Sequence, residues 1–242
     1  MKWSYLALLV ALIAVVLLLI GGPGARFGLW EFGFGFRLLR YALYAGIAGG
    51  VVALLLLLIP TTRKQGSVVI LFIALLISLA AAAVPLQMRS TAESLPFIHD
   101  ITTDTTNPPR FIRLLPLRVD APNPPDYAGE EVAVQQREAY PDIQTQRYSH
   151  TVEQVFAAAL ETVREQGWEI VAEEPSNGRI EATDTTFWYG FKDDVVIRIE
   201  TDADGSKFDM RSKSRVGMSD LGTNANRIRS VIGDLDERLG AD

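Results

Sequence analysis

The chain is 242 residues long, has no cysteine, and carries 29 acidic against 23 basic residues, a formal net charge of −6. Without cysteine there can be no disulfide, thiolate nucleophile, iron–sulfur cluster or cysteine-type zinc site. The charge is unevenly divided: seven basic residues and one acid, Glu31, leave residues 1–89 at +6, while sixteen basic and 28 acidic residues leave the rest at −12. A C-terminal part that acidic repels phosphate backbones, which argues against a nucleic-acid partner.

Three apolar runs open the chain. Leu6–Ile20 is unbroken, and Tyr41–Ile59 and Val68–Leu86 are each nineteen residues without a charge. About 20 residues of helix cross a bilayer core, so three transmembrane helices are expected over 1–88, with the lipid bilayer as first partner. The shorter first run follows Lys2, and a cleaved signal peptide ending near Gly22–Ala25 is the alternative. Three spans put the N-terminus and the Thr61–Gly66 loop on one side and the C-terminal domain on the other. Lys2, Arg63 and Lys64 then face Arg26, Arg37, Arg40 and Arg89, so charge alone leaves sidedness open.

Between the first two runs, Phe32, Phe34 and Phe36 alternate with glycine beside Trp30. Rings in such a loop suit headgroup depth, and Trp30 and Phe34 are also candidates for contact with a partner's membrane helix. Ala42, Gly46 and Gly50 recur every four residues on the second run, a seam that permits close helix approach. The seam serves either the protein's own spans or another membrane protein complex.

Eight of the twelve prolines fall within residues 96–141. Proline fixes φ and removes an amide donor, so 89–147 is expected to be extended and largely free of helix. Its apolar residues, among them Phe97, Ile101, Phe111 and Leu114, imply that part of it packs across the folded domain.

From residue 148 the pattern sharpens. Thr151 with Gln154 forms a capping box before a helical stripe of Val152, Val155, Phe156, Ala159, Leu160 and Val163, with Gly167 at its end. Alternating Trp168, Ile170 and Ala172, a turn at Asn177-Gly178, and Ile180 and Ala182 read as strands. Val195, Ile197 and Ile199 continue the alternation, followed by Phe208 and Met210. Ile228, Val231, Ile232, Leu235 and Leu239 mark a closing helix. The expected fold is α+β: three transmembrane helices, then at 148–242 a two-layer sandwich of about four antiparallel strands with two helices on one face.

A two-residue hairpin turn at Asp204-Gly205 sets Asp202 opposite Lys207, Arg198 opposite Arg211, Val196 opposite Lys213 and Asp194 opposite Arg215. Arg198 against Arg211 is a like-charge contact that something negative must offset. Either acids of the preceding segment, such as Asp100 or Asp104, cross the face, or Arg198, Arg211, Lys213 and Arg215 bind an anion or lipid headgroup. Ser212 and Ser214 point to the helix side. Asp220 and Asn224 suit capping of the last helix.

Three stretches resemble a known family: His99-Asp-Ile-Thr-Thr-Asp-Thr-Thr-Asn-Pro-Pro-Arg-Phe111, Phe191-Lys-Asp-Asp-Val-Val-Ile-Arg-Ile199 with Asp209-Met-Arg-Ser-Lys-Ser-Arg-Val-Gly217, and Ser219-Asp-Leu-Gly-Thr-Asn-Ala-Asn-Arg-Ile-Arg229. In this order, over roughly residues 95–240, they are similar to the family catalogued as domain of unknown function 1499. The resemblance implies an envelope protein of the bacterial inner membrane, its N-terminus cytoplasmic and its C-terminal domain periplasmic. It implies no reaction.

Catalytic chemistry has little to stand on. His99 and His150 are the two histidines, and neither sits at a nucleophile elbow. His99, Asp100 and Asp104, with Asn107 and Pro108 in the same motif, could hold a metal or serve a hydrolase. Asp and Thr in such a stretch more often make local turn hydrogen bonds. The sequence reading is a non-catalytic membrane protein with a binding or assembly domain, no cofactor and no metal, serving as an accessory subunit of a membrane complex. An anion or headgroup binder is the alternative and a hydrolase the remote one.

Overall fold

The computed structural model describes residues 2–65 and 68–240. It forms two compact units. One joins Met1–Glu93 to Phe187–Gly190, and the other comprises Ser94–Thr186 and Phe191–Asp242. Met1, Gly66, Ser67, Ala241 and Asp242, which begin, interrupt or end the segments read from sequence, lie outside the described residues.

The helical unit contains α1 (Lys2–Arg26), α2 (Phe32–Leu58), the short α3 (Pro60–Gln65) and α4 (Val68–Ser94). Three of them, α1, α2 and α4, are long and apolar enough to cross a membrane. At 1.5 Å per residue a helix of this size spans roughly 40 Å. The loop expected over Thr61–Gly66 is helical up to Gln65, and α4 runs on through Pro85 to Ser94, past the boundary expected at residue 88.

Glycine and alanine bring the long helices together. Gly21 and Gly35 meet at α1–α2, where a Cβ on Gly35 would lie 2.4 Å from the Gly21 carbonyl oxygen. On α2, Ala42 is fully buried, and a Cβ on Gly46 would sit 3.0 Å from the Ser78 carbonyl of α4. Gly49, outside the four-residue spacing, abuts Ser78 Oγ and Ala11. At Gly46 the glycine seam therefore packs the protein's own spans, one of the two uses open to it from the sequence. Gly50 has room: its nearest neighbour would be Ser78 Cβ at 3.5 Å. Trp30 is likewise engaged internally, its indole donating to the Gly21 carbonyl (3.2 Å) and its ring lying over Gly24.

In the second unit the order is β1 (Asp100–Thr102), α5 (Glu130–Ala139), β2 (Gln146–Tyr148), α6 (Val152–Glu165), β3 (Glu169–Glu174), β4 (Arg179–Thr185), β5 (Lys192–Asp202), β6 (Gly205–Ser214) and α7 (Thr223–Leu239). The antiparallel sheet runs β1-β6-β5-β4-β3, with β2 beside β1 on the same edge of β6. Six strands thus replace the expected four, because the Pro-rich segment supplies two. It also supplies α5, contrary to expectation. The run between Pro125 and Pro141 holds no proline, and acids open it while Arg137 closes it, as the helix dipole favours.

Alternation decides which face each strand side chain takes. Ile180, Ala182, Val195, Ile197, Ile199, Phe208 and Met210 point to α6 and α7 and form the core with Val155, Phe156, Ala159, Ile228, Val231 and Leu235. The capping box is present, with Gln154 N donating to Thr151 Oγ1 and Thr151 N to Gln154 Oε1. At the β3–β4 turn, Gly178 (φ +57°) admits no side chain: a Cβ would lie 2.0 Å from the Ile199 carbonyl oxygen.

The outer edge of β1 is closed by a side chain. Gln136 of α5 accepts from Thr102 N (3.0 Å) and donates to Thr102 O (2.6 Å), occupying the ladder position another strand would take.

Gly46→Leu is expected to lower the melting temperature of the full chain in detergent, because the added atoms must displace α4 backbone, whereas Gly50→Leu leaves it within error; differential scanning fluorimetry separates the two.

Candidate functional site

The sheet face opposite α6 and α7 is covered by residues 103–127, a strap without regular strands. Phe111 and Leu114 of the strap bury Val196 and pack against Val171. Val171 reaches that face by ordinary alternation after Ile170, and the β3–β4 register shift between Ile170 and Ala172 then sets Ala172 opposite Glu181. A single acid fixes the strap's turn. Glu181, fully buried on β4, accepts the backbone amides of Ile112 (2.9 Å), Arg113 (2.9 Å) and Leu114 (2.8 Å).

The hairpin differs from the expected register by two residues. Its turn is Ala203-Asp204, and Asp202 pairs with Gly205, Arg198 with Asp209, Val196 with Arg211 and Asp194 with Lys213. Gly205 (φ +150°) lies inside the strand because β2 crosses it closely: a Cβ there would meet the Tyr148 carbonyl oxygen at 2.1 Å. The Arg198–Arg211 opposition accordingly does not occur.

Each cation of the proposed basic patch is held by acids. Arg211 makes a bidentate pair with Asp100 (both 2.8 Å), and Lys213 reaches the same carboxylate at 3.0 Å. Arg211 also lies between the rings of Phe111 and Tyr127, 4.8 and 5.5 Å from their centroids. Asp194, fully buried, takes Arg118 (2.6 Å), Arg215 (2.8 Å) and the Thr183 hydroxyl (2.7 Å). Arg198 pairs with Asp209 (2.8 Å) and Asp104 (3.1 Å). Burial pushes the Lys213 ammonium below its ordinary value, with Asp100 acting against that shift. Arg198, Arg211, Lys213 and Arg215 are thus interior ion pairs, because Asp100 of β1, Asp194 of β5 and Asp209 of β6 share their sheet face and Asp104 of the strap reaches it.

His99, Asp100 and Asp104 do not converge. Asp100 faces Arg211, and Asp104 Oδ1 accepts the amides of Thr106 (3.0 Å) and Asn107 (2.8 Å) in a local turn. His99 Nδ1 instead lies 3.4 Å from the Met218 carbonyl. Among the described residues no three His, Cys, Asp or Glu side chains group as metal ligands. His99, Asp100 and Asp104 thus sit in three separate environments.

Beneath α7 lies a second buried polar cluster. Ser212 donates to Asn224 Oδ1 (2.6 Å), Asn224 Nδ2 donates to Ser214 Oγ (3.0 Å), and Arg227 binds Asp184 (2.6 Å) and Asp193 (2.8 Å). Asp220 caps the helix through the amides of Gly222 and Asn224. Burial raises the Asp220 carboxyl above, and lowers the His99 imidazole below, their ordinary values.

What remains accessible is a cleft of about 890 Å³ along the strap. Thr106, Asn107, Pro108 and Arg110 line one wall, Pro125, Asp126 and Tyr127 another, and Arg179, Arg198 and Glu200 its sheet side. The Tyr127 hydroxyl is buried without a hydrogen-bond partner, and burial pushes its pKa up to about 12, so it stays protonated. Asn107 and Pro108 belong to the motif singled out in the sequence. Arg110 lies in the same stretch, whereas Tyr127 and Arg179 had no local signal, since strap and sheet are joined only by the fold.

The sequence profile described as Protein of unknown function (DUF1499) matches residues 100–235, more than half of the chain and all six strands. The chain belongs to the DUF1499 family. No curated protein matches it. Among solved structures, CalU16 from Micromonospora echinospora is similar at 18% identity and a TM-score of 0.29, over 40% of this chain and 82% of that one.

Two outcomes test this site in the DUF1499 chain. Asp194→Ala strands the buried Arg118 guanidinium and is expected to cost about 3–5 kcal/mol of stability in chemical denaturation. His99 contributes a pH dependence: with its folded pKa lowered from the ordinary 6.5, the unfolded chain takes up the proton first as pH falls through 6.5, so stability drops. His99→Gln is expected to flatten that part of the profile between pH 7 and 5, measured by urea denaturation.

Proposed function

We propose that this DUF1499 protein is a membrane-held, non-catalytic binding module, with three spans anchoring an α+β domain whose strap cleft takes a small polar ligand. The observation that carries the reading is the cleft itself. Tyr127 lines its wall and has a protonated hydroxyl that is buried without a partner, beside Arg198 and Arg211, which are paired with acids. A buried hydroxyl without a partner is costly, and a ligand acceptor would relieve that cost. Four of the ionisable groups around the cleft, Arg179, Arg198, Glu200 and Arg211, are committed to structural pairs, which favours binding over catalysis. The odd number of spans and the envelope character implied by the family resemblance support a bacterial inner-membrane location, with the N-terminus cytoplasmic and the domain periplasmic.

A second reading, an accessory subunit of a membrane complex, draws on an apolar groove of about 500 Å³ on α2 and α4, lined by Gly50, Leu54, Leu75, Leu79 and Leu86. Small residues beside an open groove suit a partner helix.

The test is to purify the tagged full chain from its native membranes in mild detergent and to identify bound small molecules and proteins by mass spectrometry. The binding reading expects a polar small molecule on the wild type that is lost in Tyr127→Phe, while far-UV circular dichroism and melting temperature hold. A bare cleft with a stoichiometric membrane protein, released by Gly50→Leu, transfers the assignment to the subunit reading. Neither ligand nor partner would overturn both.

A further inference from the structure

The β4–β5 connection ends in an aromatic tip whose composition the sheet does not explain. Thr186 and Phe191 close its neck, with Thr186 N donating to Phe191 O (2.8 Å) and Phe191 N to Thr186 Oγ1 (2.9 Å). The four residues between are Phe-Trp-Tyr-Gly, where loop tips are ordinarily small and polar. None joins the sheet's hydrophobic core.

The tip groups instead with the long helices. The Phe187 carbonyl accepts from Arg26 Nη1 (2.6 Å), and the Arg26 guanidinium stands 5.9 Å from the Phe187 ring centroid. Trp188 lies against Gly22, where a Cβ would come within 2.1 Å of the indole, and the Tyr189 ring packs at a tilt of 41° against Phe36, 4.9 Å between centroids. Gly22 and Gly35 are thus receptacles for rings. The Phe187 ring is left 82% exposed. It is not isolated, because the α1–α2 junction beside it exposes Phe27 (73%) and Leu29 (72%) as well. Rings of this kind at the end of an apolar helix belong at headgroup depth, where an apolar body and a nearby cation are both favourable.

We propose that the 187–190 tip is an additional membrane attachment, with the Phe187 ring seated in the headgroup–acyl boundary of the bilayer and extending the aromatic belt of the α1–α2 junction. The occupant of this exposed surface is lipid, because Phe27 and Leu29 make the surface continuous with the exposed apolar flanks of helices long and apolar enough to cross a membrane. This inference is independent of the strap cleft.

The chain's lack of cysteine makes the test direct. Phe187→Cys, Ala203→Cys at the exposed β5–β6 turn and Leu55→Cys on the exposed flank of α2 each give the full chain a single thiol. Each is spin-labelled and reconstituted into phosphatidylcholine–phosphatidylglycerol vesicles, with circular dichroism confirming the fold. Collisions with membrane-partitioning oxygen and with a water-soluble nickel chelate are then compared. The expected result is an oxygen-to-nickel ratio at position 187 severalfold above that at 203 and below that at 55. A ratio equal to that at 203 would overturn the proposal. So would a label shielded from both relaxers, which would place protein on the tip instead of lipid.

Discussion

The domain depends on the pairing of charges across one face of its sheet. Arg118, Asp194, Asp100, Arg211 and Lys213 are each at most 3% exposed, and an isolated charge in such a place is costly enough to unfold a marginal protein. The strap supplies Asp104 and Arg118, β1 supplies Asp100, and the sheet supplies the rest. Neither half of this arrangement is tolerable alone. The strap is therefore a structural layer of the domain, and the cleft exists because that layer leaves room along its length.

Glu181 shows how the layer is oriented as well as held. Three successive amides aimed at one carboxylate fix the turn at 112–114. Fixing that turn in turn sets Phe111 between the guanidiniums of Arg118 and Arg211, at 5.3 and 4.8 Å. A ring face flanked by two cations combines apolar burial with electrostatic attraction. Charge and apolar packing thus reinforce each other across the face.

Much of this was legible in the sequence, and for identifiable reasons. Spans, core stripes, the Thr151 capping box and the Asp220 cap follow from periodicity and local hydrogen bonding, which the chain displays within a few residues. The hairpin face was also legible, because parity along a strand survives a register error of two. The register itself was not. It depends on β2 pressing on Gly205 from far away in sequence, and a turn motif alone favoured Asp204-Gly205. The same limit hid α5, since proline density over a whole segment says nothing about a proline-free window inside it. It also hid Glu181 and Tyr127, ordinary residues until the strap is laid down. The small-residue seam was visible but not its use, which Ser78 on another helix decides.

The carboxylate of Asp100 and the guanidinium of Arg211 are separated by 111 positions. Contacts of such range are slow to form, because a long loop must close before any of its reward is realised. β6 follows β1 by about a hundred residues, so Asp100 and Asp104 emerge from the ribosome well before Arg198, Arg211 and Lys213, which pair with them. Until then the segment is a proline-stiffened tether whose apolar residues have no sheet face to pack on. The domain's last strand therefore acts as a timing device, converting that tether into a folded layer only once β6 has been made.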